Sequence, residues 1–93
     1  MNISIVMPKQ NILVIGSSNT DMVIRTEHLP LPGETVIGGT FFMNPGGKGA
    51  NQAVAVARLG GQVAFVCKTG SDIFGHQAQQ LFSEEGIDSS YVF

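Results

Sequence analysis

In the run Gly46-Gly47-Lys48-Gly49-Ala50-Asn51-Gln52-Ala53-Val54-Ala55-Val56-Ala57-Arg58-Leu59-Gly60-Gly61-Gln62-Val63-Ala64-Phe65-Val66-Cys67, three kinds of local chemistry follow one another. A glycine-rich turn opens it. Ala50 to Leu59 then reads as a helix, apolar on most sides and therefore expected to be buried on most of its surface. Gly60-Gly61 supplies the C-terminal stop. Val63 to Cys67 is a short apolar run suited to a buried strand. Upstream, Asn11-Ile12-Leu13-Val14-Ile15 is a similar run ending in Gly16, read as a strand buried on both faces. Downstream, Asp72 can cap a second helix in which Phe74, Ala78, Leu81, Phe82 and Glu85 keep helical spacing. Gly86 ends that helix, Ile87 closes it, and Tyr91-Val92-Phe93 begins another strand. The main path is β-α-β-α-β, an α/β sheet with largely parallel strands. Residues 22–27 and 35–43 are rich in strand formers, with Pro30, Pro32 and Gly33 between them. They read as an antiparallel pair that projects from the main sheet.

Bulk properties exclude several classes. The chain has 93 residues, 43% hydrophobic and 13% charged, with a net charge of -2. One small domain fits that length. So mild a charge gives no reason to expect nucleic acid or an anionic membrane as a partner. The single cysteine, Cys67, has no partner for an internal disulfide, which points to a reducing cytoplasm. The opening MNISIVMPKQ lacks the basic start, apolar core and cleavage site of a signal peptide, and no run is long enough to cross a bilayer. The sequence holds no internal repeat and no low-complexity segment.

Two polar, glycine-flanked clusters stand out. The first is the turn from Gly46 to Asn51, where glycines allow close backbone approach and helix N–H groups suit an oxygen-rich ligand. It is not a phosphate-binding Walker loop: position 42 is Phe where that motif needs Gly, and Gly49 follows Lys48 in place of Ser or Thr. The dinucleotide fingerprint fails as well, because Gln52 stands where a third Gly or Ala belongs. The second cluster, Gly16-Ser17-Ser18-Asn19-Thr20-Asp21, follows the first strand at the sheet edge where ligands of open α/β folds gather. A carboxylate there can accept from two vicinal hydroxyls. Asx residues also satisfy turn backbone, so the residues alone leave both a polyol site and a structural turn open. His28 and His76 read as ordinary polar positions, and Cys67 as a packing residue.

These clusters together resemble the N-terminal signature of the ribokinase (PfkB) family of carbohydrate kinases. The match runs through Gly46-Gly47-Lys48-Gly49-Ala50-Asn51-Gln52-Ala53, then Gly60 and Gly70, in register. Gly16-Ser17-x-Asn19-x-Asp21 and Pro30-x-Pro32-Gly33-Glu34-Thr35-Val36 look closer to the ribokinase branch than to the fructokinase or adenosine kinase branches. The resemblance covers about residues 11–93.

The resemblance implies an α/β, ribokinase-like fold, the start of a larger parallel sheet, with a projecting antiparallel β lid inserted at about residues 22–43. It implies that Asn19 and Asp21 hold sugar hydroxyls and that Gly46, Gly47, Lys48 and Asn51 form a sugar-contact loop. Phe41, Phe42 and Met43 become lid or dimer residues, with core packing the competing reading. The activity implied is transfer of the ATP γ-phosphoryl group to the terminal hydroxyl of a pentose such as ribose. Deoxyribokinase, pseudouridine kinase and other sugar kinases of the family share much of this pattern. ATP, Mg²⁺ and a monovalent cation are the implied cofactors, a small-molecule sugar and a second copy through the lid the implied partners, and the cytoplasm the implied compartment. The family's second signature, with its anion hole and aspartate base, is absent from these residues. No catalytic residue and no metal ligand is therefore assigned here, Asp72 and Asp88 included, and the chain alone is expected to be inactive. The rival from another class is a stand-alone, non-catalytic sugar-binding or interaction module.

Overall fold

The structure, a computed structural model, describes residues 11–93. The reading of the opening MNISIVMPKQ falls outside them. Strand β1 (Asn11–Ile15) is followed by β2 (Asn19–Arg25), β3 (Thr40–Gly46), helix α1 (Lys48–Arg58), β4 (Gln62–Val66) and α2 (Ile73–Glu84). β1 and β4 pair in parallel, from Asn11 opposite Gln62 to Ile15 opposite Val66. Parallel bridges join Ala64 to Asp88 and Cys67 to Val92. Of the strand expected from Tyr91 onward, one bridging point is present, at Val92, parallel as the β-α-β-α-β path requires; the bridge at Asp88 precedes it. Among the described residues no helix is long and apolar enough to cross a membrane.

Both helices end as their sequences dictate. Gly60 (φ 88°) and Gly86 (φ 74°) take the left-handed conformation after the last turn. Behind each, two N–H groups return to the helix: Gly60 to the Ala57 carbonyl and Gly61 to Val56, Gly86 to Ser83 and Ile87 to Phe82. That is the paired closure a C-terminal glycine permits. At the other end of α2, Asp72 Oδ1 accepts from the Gly75 N–H at 3.0 Å. Asp72→Ala is expected to lower folding stability by about 1 kcal/mol, read as a lower urea midpoint with an unchanged slope.

The core lies on one side of the β1–β4 pair. Val14, Val63, Phe65 and Cys67 share that side and pack with Ala50 and Ala53 of α1, Ala78 and Phe82 of α2, and Ile87. Phe65 and Phe82 meet edge to face, ring centroids 5.2 Å apart. Across the helix ends, the Arg58 guanidinium grips the Glu85 carboxylate, Nε at 3.1 Å from both oxygens and Nη2 at 2.6 Å from Oε1. These bonds hold the Glu85 carboxyl below its usual range.

Three expectations need correction. β1 is buried on one face: Leu13 is 58% and Ile15 74% exposed, because α1 and α2 both pack on the face of Val14 and no described element covers the other. α1 buries Gly49, Ala50 and Ala53, and Ala55 on its far side is exposed, for the same reason. The projecting strands form their own sheet, as expected, but span Asn19–Arg25 and Thr40–Gly46. Residues 35–39 are loop, since Gly38 (φ 94°) and Gly39 (φ 115°) break the extended backbone. Pro45 is accommodated at the end of β3 because, among the described residues, the ribbon has two strands and both are edges.

Candidate functional site

The ribbon brings the two polar clusters together. Its antiparallel register sets Asn19 opposite Gly46 and Asp21 opposite Asn44. Asn19 and Asp21 are therefore strand residues, and Gly46, expected in a turn, is the last residue of β3. The Asp21 carboxylate lies over the Gly46 backbone: a Cβ built on Gly46 would meet Asp21 Cγ at 2.7 Å. Only glycine leaves that carboxylate its place.

Gly47 then turns the chain into α1. Its φ of 102° suits glycine, and a Cβ there would meet the Ser17 carbonyl oxygen at 2.7 Å and the Asn19 nitrogen at 3.0 Å. Gly49 touches Gly16 backbone to backbone, a Cβ on Gly49 falling 2.7 Å from Gly16 Cα. The Ala50 N–H donates to the Ser17 carbonyl at 3.0 Å and the Asn51 N–H to Gly47 at 2.9 Å. These contacts dock the first turn of α1 onto the segment that links β1 to β2. Gly47 offers no capping side chain, and the N–H groups of Lys48 and Gly49 are too early in the helix for intrahelical acceptors. Helix N–H groups of this kind suit an oxygen-rich ligand, Lys48 lying exposed and Gly49 buried against Gly16.

Direct contact thus joins Asn19, Asp21, Gly46 and Gly47. Lys48 and Asn51 stand three apart on α1 and so share one helix face. Asn19, Asp21, Lys48 and Asn51 are exposed while Gly46 is buried; Lys48 and Asn51 are brought near the other two by the Gly47 turn. These side chains offer a carboxylate acceptor, two amides that both donate and accept, and an ammonium donor. That is the equipment for reading several hydroxyls at once. Gly16, Ser17 and Gly49 were not among the expected site residues, yet they hold the helix in place. The glycines gave a signal, but a spacing of thirty-three residues does not reveal that Gly16 and Gly49 touch.

The remaining acids and the cysteine are engaged elsewhere. Asp72 caps α2. Asp88 Oδ1 accepts from the Ser90 N–H at 3.0 Å and from its hydroxyl at 2.6 Å, bonds that hold its carboxyl below the usual range. Cys67 is buried and burial pushes its thiol up, which disfavours the reactive thiolate. His28 Nε2 lies 2.9 Å from Glu34 Oε1 in the exposed loop between β2 and β3.

Comparison with known proteins bears on the family and the fold. The pfkB family carbohydrate kinase profile matches residues 9–93. The chain is 45% identical over 84 residues to the ribokinase of Haemophilus influenzae, covering 90% of this chain and 28% of that protein. It is 42% identical over 82 residues to the deoxyribokinase of Salmonella typhi, covering 88% of this chain and 27% of that protein. The structure of Arabidopsis thaliana ribokinase complexed with ribose and ATP superposes with a TM-score of 0.74 at 35% identity, over 92% of this chain and 28% of that one. The chain therefore spans about a quarter of the length of the relatives it matches. With the family profile matched from end to end of the described fold, and a ribokinase-like α/β architecture beneath it, the chain belongs to the pfkB family of carbohydrate kinases.

Proposed function

We propose that this chain is the sugar-binding portion of an ATP-dependent sugar kinase of the ribokinase type, which phosphorylates the terminal hydroxyl of a pentose such as ribose. One observation carries the reading: the Asp21 carboxylate sits over Gly46, beside the open N-terminus of α1. A carboxylate accepts from two vicinal hydroxyls, each charge-assisted bond contributing about 1.5–3 kcal/mol. Asn19, Lys48 and Asn51 supply further donors and acceptors around it, and the backbone of Gly46 and Gly47 lets the ring approach. Together they orient the sugar, so that its terminal hydroxyl is presented from a fixed pose.

ATP, when bound, supplies the phosphoryl group. Among the described residues no cluster of three His, Cys, Asp or Glu side chains converges on a cation position, so none is assigned to Mg²⁺ or to a monovalent cation. In this reading the nucleotide-binding half and the aspartate base lie in sequence beyond this chain, and the β2–β3 ribbon acts as the lid within the cytoplasm's soluble enzyme. One face of the ribbon supports pairing with a second copy: Met22, Ile24 and Phe41 are each more than half exposed there and Met43 is 37% exposed.

The discriminating experiment is the intact mass of the product of the native gene, paired with an assay of the isolated chain. The expected mass is several-fold above 9.8 kDa, and the isolated chain with ATP, Mg²⁺ and ribose is expected to form no ribose phosphate. Reproducible turnover by the pure 93-residue chain would defeat the division of labour proposed. A native mass of 9.8 kDa would favour the non-catalytic sugar-binding module.

A further inference from the structure

The β2–β3 ribbon has two unlike faces. Directly opposed residues of an antiparallel pair point the same way, and alternate residues point oppositely. The register therefore places Met22 with Met43 and Ile24 with Phe41 on one face. It places Asn19 with Gly46, Asp21 with Asn44, Val23 with Phe42, and Arg25 with Thr40 on the other. The first face is open and apolar. The second starts polar at the sugar site and turns apolar one step beyond Asp21, at Val23 and Phe42, both half-buried. Arg25 follows, its Cζ 6.0 Å from the centroid of the Phe42 ring, at the outer reach of a cation–π contact.

We infer that Phe42 is a sugar-contacting residue, its ring packing against the C–H face of a pentose whose hydroxyls are held by Asn19 and Asp21, and that Arg25 positions that ring. The inference rests on the sugar-site reading above and extends it along the ribbon. Two residues of strand separate Asp21 from Val23 and its partner Phe42, about 7 Å, a step comparable with the span of one sugar ring. The chemistry is complementary. Sugar C–H bonds carry a slight positive polarity, and an aromatic face is negative. Phe42 therefore adds apolar burial without competing for the hydroxyls. The Arg25 guanidinium, 6.0 Å from the ring centroid, bears on the tilt of that ring, which stands on a ribbon of two strands among the described residues.

The test uses the full-length protein that carries this chain, with ribose, 2-deoxyribose and fructose as probes. Phe42→Ala is expected to raise the KM of the preferred sugar about tenfold or more, with the KM for ATP within twofold of wild type. Phe42→Leu keeps much of the apolar contact and is expected to raise it about threefold; it carries the same test should the alanine variant lose its fold. Arg25→Ala is expected to raise the sugar KM by less than Phe42→Ala does, and to add nothing in a Phe42→Ala background, since it acts through the ring. A sugar KM unchanged in both Phe42 variants overturns the inference, as does an ATP KM that rises in proportion. Wild-type protein that phosphorylates none of the probes would instead overturn the kinase reading itself.

Discussion

Asp21→Ala in the full-length protein is expected to weaken sugar binding at least a hundredfold and to leave ATP binding unchanged. Asp21 supplies the one carboxylate among Asn19, Asp21, Lys48 and Asn51. Two charge-assisted hydrogen bonds contribute about 3–6 kcal/mol together, and each 1.4 kcal/mol is a factor of ten in affinity. Asp21→Asn preserves the shape and one acceptor oxygen, so a loss of about tenfold is expected there. Titration calorimetry with ribose, beside a separate nucleotide titration, reads both sides. Sugar affinity unchanged in Asp21→Ala would remove the carboxylate from the site and leave its place over Gly46 as mere packing. Loss of sugar and nucleotide binding together would point to a fold defect, which the urea midpoint of the same variant detects.

The parts of this molecule that were legible in the sequence are those whose signals are local. Asp72 as a cap, Gly60 and Gly86 as stops, and Ile87 as closure all depend on a few neighbouring atoms, and the structure shows each in that role. The order of strands and helices was legible for the same reason. What was misread depends on neighbours in space. Ile12 to Ile15 looks equally apolar whether one face or both are covered. Only the placement of α1 and α2 on the Val14 side tells which face is dry among the described residues. The ribbon's limits were missed because Val36 and Ile37 are good strand formers, and the positive φ of Gly38 and Gly39 overrules them. For the candidate site, the polar clusters were visible in the sequence but their meeting was not. Asn19 and Asp21 reach Gly46 through a strand register across two dozen residues, and a register is fixed by pairing, which composition does not record.

The largest structural effect is expected from one methyl group at the joint between those clusters. Gly49→Ala would ordinarily stabilise a helix, by about 1 kcal/mol in an exposed interior position. Here the sign is expected to reverse. A Cβ at 49 would lie 2.7 Å from Gly16 Cα and 2.8 Å from both the Gly16 carbonyl carbon and the Ser17 nitrogen. All three are backbone atoms, so no flexible side chain can swing aside. Either the first turn of α1 lifts or the segment after β1 yields, and the Ala50 to Ser17 hydrogen bond at 3.0 Å stretches in both cases. A loss of about 1–3 kcal/mol is expected, the usual range for overpacking. Sugar affinity should fall with it, tenfold or more, because Lys48 and Asn51 ride on the turn that moves and a displacement of about 1 Å can remove a hundredfold in rate. Gly61→Ala is the control. Its Cβ would meet Val56 Cγ1 at 2.7 Å, at the far end of the same helix, so it should lower stability and spare sugar affinity. If the two variants weaken sugar binding equally, the site senses only overall stability. If Gly49→Ala alone weakens it, the Gly16–Gly49 contact sets the geometry in which the helix meets the sugar.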